Sequence, residues 1–358
     1  MQVVKGKYAC FEDFFHHVLP TGELGQMLAG PSYDKDKVLY RGEPSGKFKL
    51  LPSALREGSG EILNAEWGGS DLTNAGSQIR CEHYKLWQFY KIANEHGLKV
   101  SGSDAMREEY LGRMAQTFGF QKTGYTWLSR EYEDLAALAQ HYGVPTRMLD
   151  WTSDLFTAMY FASSKALKRW DKGEYDTLDN LIIWILNGGL IHSMTKDRNS
   201  KGIPIMKDGV WQETIINPLP LKVVVPPYYD NPNLNAQKGV LSYWEVEMPS
   251  RAEEDSRGHE FYPIDRRPLD ELLQGYDLGY DSSHIDILYR VELDISECAY
   301  MYSVMNDLGY NAAKLFPGYA GVKQKMEEDD IHWRFCKWLE TERCKHCQKY
   351  SSGKTEQV

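Results

Sequence analysis

Apolar positions along the chain recur at two different periods, and the changes of period mark out the elements. Over residues 11–27, Phe11, Phe14, Phe15, Val18 and Leu19 fall at helical spacing closed by Pro20 and Gly22, which predicts an N-terminal helix acting as a brace or lid. Val38-Leu39-Tyr40 is a short apolar run stopped by Arg41-Gly42, read as a strand that delivers an arginine to its end. Residues 78–96 carry Tyr84, Leu86, Trp87, Phe89, Tyr90 and Ile92 at mixed helical spacings, with Gly97 as the stop. A second helix is expected over 130–141, ended by Gly143-Val144-Pro145, and a third over 154–169, where Asp154 favours the positive helix start.

Residues 181–186 and 221–225 are continuous Ile- and Val-rich runs bounded by turn residues, so both read as buried strands. Residues 240–248 alternate apolar and polar, and 285–293 is a further strand candidate. Strands gathered late and helices early predict an α+β fold, with a small mixed or antiparallel sheet flanked by the 78–96 and 130–141 helices. Polar stretches at 171–179, 195–202 and 250–281 read as loops or insertions. The expected organisation is a helical segment over 1–24, a main domain over 25–328, a C-terminal helix over 329–350 and a disordered tail over 351–358.

Composition narrows the function. A formal net charge of −10 gives no global attraction for nucleic acid, so contact with it would need a local basic patch. The short cluster from Arg343 to Lys349 does not establish one, and the acidic run at 327–330 reads as a solvated junction between helices. Aromatic residues make up 13 % of the chain, which suits a packed globule and is compatible with a stacking pocket. No apolar run reaches the roughly 18–20 residues that span a bilayer, and Met1-Gln2-Val3-Val4-Lys5 lacks the apolar core of a signal peptide. A cytoplasmic protein with no membrane partner is therefore expected. Six cysteines, unevenly placed, are too sparse for a disulfide scaffold, in keeping with a reducing compartment.

The densest chemistry lies in residues 138–152, where Gln140, His141, Arg147, Asp150 and Thr152 crowd a helix end and turn. With Tyr40-Arg41-Gly42 and Leu315-Phe316-Pro317, this run resembles the FRG domain family, named for a Phe-Arg-Gly signature; Tyr40 stands at its first position. Residues 50–56, Ala236-Gln237-Lys238-Gly239 and residues 311–318 follow in family order, so the likeness extends over 25–328. The family is found mostly in bacteria and their mobile elements, which implies an effector in antiphage defence or toxin activity.

A second likeness is to arginine-class ADP-ribosyltransferases. It rests on Leu39-Tyr40-Arg41-Gly42 and on Trp151-Thr152-Ser153 leading into Ala158-Met159-Tyr160-Phe161-Ala162. It implies that fold and NAD as substrate, with Arg41 on the phosphates or ribose and Thr152 and Ser153 shaping the ribose pocket. Arginine suits this role because its planar fork binds phosphate oxygens in pairs. The third element of such a site is a carboxylate that stabilises the ribosyl cation as nicotinamide leaves, a role that falls to Glu245 or Glu247 on one strand face. Tyr40, Gly42, Arg56, Gln140, His141, Arg147, Asp150, Trp151 and Gln237 are the candidate ligand contacts.

Each candidate also has a structural reading. Arg41 can pair with Asp150 or Glu43, and Arg147 can brace the turn through Asp150. Gln140 and His141 can cap their helix; Thr152 and Ser153 can be N-caps; Trp151 can be core; Gln237-Lys238-Gly239 can be a tight turn; Glu245 and Glu247 can face solvent. Beside the NAD-consuming enzyme, which moves ADP-ribose to a macromolecule or to water, stands a non-catalytic module that clasps a nucleotide, a nucleic-acid end or a partner peptide. Hydrolysis of a phosphodiester by His141 with Asp150 is a third reading. At the C-terminus, His332 and Cys336 lie four apart and precede Cys344-x-x-Cys347, a donor set for a structural zinc ion. Cys10, Cys81 and Cys298 stand alone and read as small apolar residues.

Overall fold

The computed structural model describes residues 1–19, 21–28, 38–58, 75–100, 104, 106–107, 126–195, 203–207, 210–214, 217–228, 231–247, 263–279 and 285–352. Pro20, residues 196–202, 250–262 and 280–281, and the end of the tail lie outside these residues, while the rest of the polar stretch at 250–281 carries a short helix, Leu269–Gly275, where a loop was expected.

Seven strands form the central sheet: β1 (Gln2–Tyr8), β2 (Val38–Glu43), β3 (Met148–Thr152), β4 (Asn180–Asn187), β5 (Leu221–Val224), β6 (Gly239–Trp244) and β7 (Asp286–Asp294). Their spatial order is β1-β7-β4-β2-β3-β6-β5; β1 runs parallel to β7 and every other neighbouring pair is antiparallel. The fold is α+β with a mixed sheet, larger than expected, and its strands come from both halves of the chain. The sorting of helices early and strands late does not hold. β1 is interrupted by Lys5-Gly6-Lys7 and β3 lies inside a segment read as a turn, so neither showed the apolar run that marked β4.

Helices among the described residues include α1 (Phe11–Val18), α2 (Ala75–Glu95), α3 (Glu133–His141), α4 (Leu155–Asp171), α5 (Cys298–Asp307) and α6 (Tyr319–Ser352). A separate short helix, Glu23–Leu28, follows α1. The acidic run at 327–330 is not a junction: it lies within α6, and Glu328 is buried against α4, where Tyr160 donates to its carboxylate and Lys168 pairs with it at 2.7 Å.

Period-two alternation sorts the strand residues between two faces. On one face, Val38, Ile183, Ile185, Tyr289 and Val291 form a core with α1, α4, α5 and α6, while Met148, Leu241 and Tyr243 form a second core with α2 and α3. Leu39, Leu149, Trp151, Trp184 and Val240 point the other way, toward Leu50, Ile191, Leu269 and Leu273. The two expected flanking helices thus cover only the β3 and β6 end of one face. Between α3 and α4 that face stays open.

Candidate functional site

The opening is a cleft of about 310 Å³. Its floor is the sheet at Tyr40, Gly42, Asp150, Thr152, Gly239 and Leu241, which share a face through the pairs Tyr40↔Thr152, Thr152↔Gly239 and Asp150↔Leu241. One wall is α3, presenting Ala137, Gln140 and His141 at i, i+3 and i+4; the other is α4, presenting Ala158, Phe161 and Lys165 at i, i+3 and i+7. Leu234, Gln237 and Phe316 close one end.

The cleft opens because β2 and β3 share a single pair, Tyr40↔Thr152, and then part. Continued in the same register, Gly42 would face Asp150. Instead the Arg41 guanidinium enters the gap and Nη1 donates to the Asp150 carbonyl at 2.7 Å, satisfying a group that the missing ladder leaves open. Arg41 is therefore mid-strand, not at a strand end as the stop after Tyr40 suggested. Gly42 is fixed by packing: a Cβ there would meet the Ala158 carbonyl oxygen at 1.9 Å, so α4 can lie against β2 only where a side chain is lacking.

Arg41 is held on one side and available on the other. Its Nε donates to Glu43 at 2.6 Å, in a pair whose side chains are 13 % and 8 % exposed. Burial works against its charge, but Glu43 and Asp150 outweigh that and raise its pKa. Nη2 makes no hydrogen bond among the described residues. Of the two ion-pair partners considered from the sequence, Glu43 takes the close contact, while the Asp150 carboxylate stands 3.9 Å from Nη1.

Lys165 escaped the sequence reading. It reaches the cleft from α4 with its ammonium 5.2 Å from the centre of the Phe161 ring, and the crowding around it lowers its pKa, with Glu43 partly opposing that. The helical spacing Ala158, Phe161, Lys165 was the available signal; a lone lysine beyond the motif gave no reason to place it beside Arg41.

Gln140 and His141 do not cap α3, since the backbone N–H of Tyr142 closes the helix and Gly143 takes the left-handed conformation. Gln140 Nε2 donates to Asp150 Oδ1 at 2.6 Å and its carbonyl accepts from the Thr146 hydroxyl. His141 lines the cleft half-buried, and desolvation lowers its pKa although Asp150 pulls the other way. Tyr40 lines the floor, its phenol pushed up to about 12 by burial and then by Asp154.

Thr152 and Ser153 are not the N-caps of α4. Asp154 is, accepting from the Phe156 N–H at 3.1 Å. Thr152 donates to the Gln237 carbonyl at 2.7 Å and accepts from the Asp154 N–H, which ties the cleft floor to the helix start. Ser153 is exposed and does not line the cleft; its N–H donates to the Lys238 carbonyl. Gln237-Lys238-Gly239 is indeed a tight turn, with Lys238 at φ 46 and paired to Asp154, and the Gln237 amide donates to the Leu315 carbonyl at 3.0 Å. Trp151 is core: it is 3 % exposed and Nε1 donates to Ser242, so it contributes to the cleft without offering a stacking platform.

Other candidates lie elsewhere. Arg147 does not pair with Asp150, because three positions apart along an extended chain the two side chains leave opposite faces. It makes a buried two-point bridge to Glu82 of α2, at 2.7 and 2.9 Å, away from the cleft lining. Arg56 donates to the Leu51 carbonyl and does not line the cleft, though its charge bears on Lys165. Glu245 and Glu247 stand past the far end of β6, six residues beyond Gly239 in the case of Glu245, or about 20 Å of extended chain. Glu245 pairs with Lys222 at 3.6 Å, and Glu247 is exposed in a two-residue strand against Thr126–Trp127. Neither lines the cleft.

At the C-terminus, His332 Nε2 lies 3.6 Å from Cys336 Sγ and 3.1 Å from the Ala299 carbonyl oxygen. The side chains of Cys344 and Cys347 lie outside the described residues, and among those described no group of three or more His, Cys, Asp or Glu is placed to hold a metal ion. Nor is any described helix long and apolar enough to cross a membrane.

No curated protein and no solved structure matches the chain. One family model does match, over residues 36–170, a span that holds β2, α3, β3 and almost all of α4, hence both walls of the cleft and the β2 and β3 part of its floor; Gly239 and Leu241 of the floor and residues 311–318 fall beyond it. Through that span the chain carries an FRG domain.

Proposed function

We propose that the cleft binds a nucleotide, with NAD as the member of that class to which the likeness to ADP-ribosyltransferases points. The observation that supports it is the convergence of Arg41 and Lys165, from a strand and a helix distant in sequence, on one cleft with aromatic walls. Arg41 Nη2 and the Lys165 ammonium supply donors for phosphate oxygens, while Tyr40, Phe161 and Phe316 offer ring surface to a base. Phe161 and Phe316 already pack edge to face with centroids 6.2 Å apart. The volume suits a small ligand or the phosphate and ribose portion of a larger one that extends through the mouth.

Two activities fit such a site. In the first, the protein consumes NAD, passing ADP-ribose to a macromolecule or to water; a role in antiphage defence or as a toxin rests on the family resemblance. In the second, the domain only clasps a nucleotide, a nucleic-acid end or a partner. The position of Glu245 and Glu247 favours the second reading for as long as they are the only carboxylates considered.

Calorimetry with NAD, ADP-ribose and ATP tests the binding step. Lys165→Ala, at the accessible edge of the site, is expected to weaken binding by roughly 10- to 100-fold, the loss of one charge-assisted hydrogen bond. Failure of all three ligands to bind, or equal affinity in the variant, would overturn the assignment.

A further inference from the structure

We infer that Asp150 is the catalytic carboxylate of this site, stabilising positive charge at the ribose carbon of an N-glycosidic substrate, and that Gln140 and Thr146 position it. The inference rests on the NAD reading above and gives it the group that Glu245 and Glu247 do not provide.

Among the described residues, one carboxylate lines the cleft, Asp150, and a second, Glu43, lies behind Arg41. Glu43 is buried and bonded to Arg41 Nε at 2.6 Å, so its charge is already matched. Asp150 lines the cleft with a side chain 69 % exposed. Its Oδ1 accepts from Gln140 Nε2 at 2.6 Å, while among the described residues Oδ2 makes no hydrogen bond and stands 3.9 Å from the Arg41 guanidinium. One oxygen is thus anchored, and the exposed side chain that carries the other lines the cavity.

The polarity of the anchor follows from the backbone. The Met148 N–H donates to Thr146 Oγ1 at 3.2 Å, so the hydroxyl proton is directed at the Gln140 carbonyl. With its carbonyl taken by Thr146, Gln140 turns its NH2 toward Asp150 and holds Oδ1 in place. Gln140 stands on α3 and Asp150 on β3, which places the charge and its anchor on rigid elements.

The reaction is balanced without a further reagent. The bond from C1′ to the nicotinamide nitrogen breaks, and its electron pair leaves with the ring, cancelling the pyridinium charge. Positive charge then develops on the ribose, opposite Asp150 Oδ2. A water molecule or an acceptor nucleophile forms the new bond to C1′, and its proton passes to His141 on the same wall.

The test measures nicotinamide release by the full chain from NAD, with NAD binding followed by calorimetry on the same preparations. Asp150→Asn keeps the shape and an acceptor for Gln140, so it is expected to bind NAD as the wild type does while kcat falls roughly 10²- to 10³-fold. Thr146→Val, remote from the substrate, is expected to lower kcat about tenfold with KM unchanged, a split that a merely structural role would not give. Wild-type protein that binds NAD without releasing nicotinamide, or Asp150→Asn that turns over within about threefold of wild type, would overturn the role of Asp150 while leaving the binding assignment in place. Absence of NAD binding would overturn both.

Discussion

Replacing Arg147 by methionine separates structure from ligand binding more cleanly than any change within the cleft. Arg147 and Glu82 are 5 % and 3 % exposed and joined by two hydrogen bonds, Nε to Oε2 at 2.7 Å and Nη2 to Oε1 at 2.9 Å. Glu82 also accepts from Trp127 Nε1 at 2.7 Å and from Gln78 Nε2 at 3.0 Å. Arg147→Met leaves a buried carboxylate with these two neutral donors and no counter-charge. Breaking such a pair costs about 3–5 kcal/mol, against a total of roughly 5–15 kcal/mol for a folded domain. The double variant Glu82→Leu/Arg147→Met removes the stranded charge and leaves only Trp127 and Gln78 short of an acceptor, about 1–3 kcal/mol, so it should be more stable than the single one. Urea unfolding followed by tryptophan fluorescence gives both values. A single variant within about 1 kcal/mol of wild type would refute the buried-pair argument. Below its transition, folded Arg147→Met should bind nucleotide as the wild type does, because the guanidinium does not line the cleft; weakened binding there would restore Arg147 as a ligand contact.

Gly42→Ala places a Cβ 1.9 Å from the Ala158 carbonyl oxygen and 2.9 Å from the Ala162 nitrogen, backbone atoms that can yield only if α4 moves. A loss of about 1–3 kcal/mol is expected, together with weaker nucleotide binding as Phe161 and Lys165 shift with the helix; an unchanged melting temperature would refute the contact. His141 should titrate below its ordinary value of 6.5 in the folded protein, observable by NMR. Between the folded pKa and 6.5 the unfolded chain holds more protons than the folded one, so stability falls as pH drops through that window, and His141→Gln should flatten this part of the profile. An equal slope in the two proteins would show that His141 is not desolvated.

Local signals were legible wherever one element sufficed to produce them. Helical spacing located α2, α3 and α4 to within a few residues, and apolar runs located β4 and β5. Gly143 and Gly97 end their helices in the left-handed conformation that few other residues adopt at low cost. β3 was hidden because its five residues alternate Met148, Asp150 and Thr152 against Leu149 and Trp151, and the polar members looked like a turn before their partners on β6 were known. The first ten residues of α6, ahead of the helix expected over 329–350, were hidden for a related reason. Charges at 327–330 suggest solvent, yet Glu328 is buried because Tyr160 and Lys168 of α4 meet it there.

The cluster of candidate residues in 138–152 and the Arg-Gly pair at 41 and 42 belonged to the sequence by itself, since type and spacing are properties of a short stretch of chain. Which of those residues share a cleft was decided by the tertiary structure. Strand register turned Asp150 and Thr152 into the opening and Arg147 away from it; helix packing at Gly42 brought Lys165 into it; and the direction of β6 carried Glu245 and Glu247 out of reach. A side chain's charge is fixed by its residue type, but its partner is fixed by the burial and pairing of elements far apart in the chain, and those contacts exist only once the sheet has assembled.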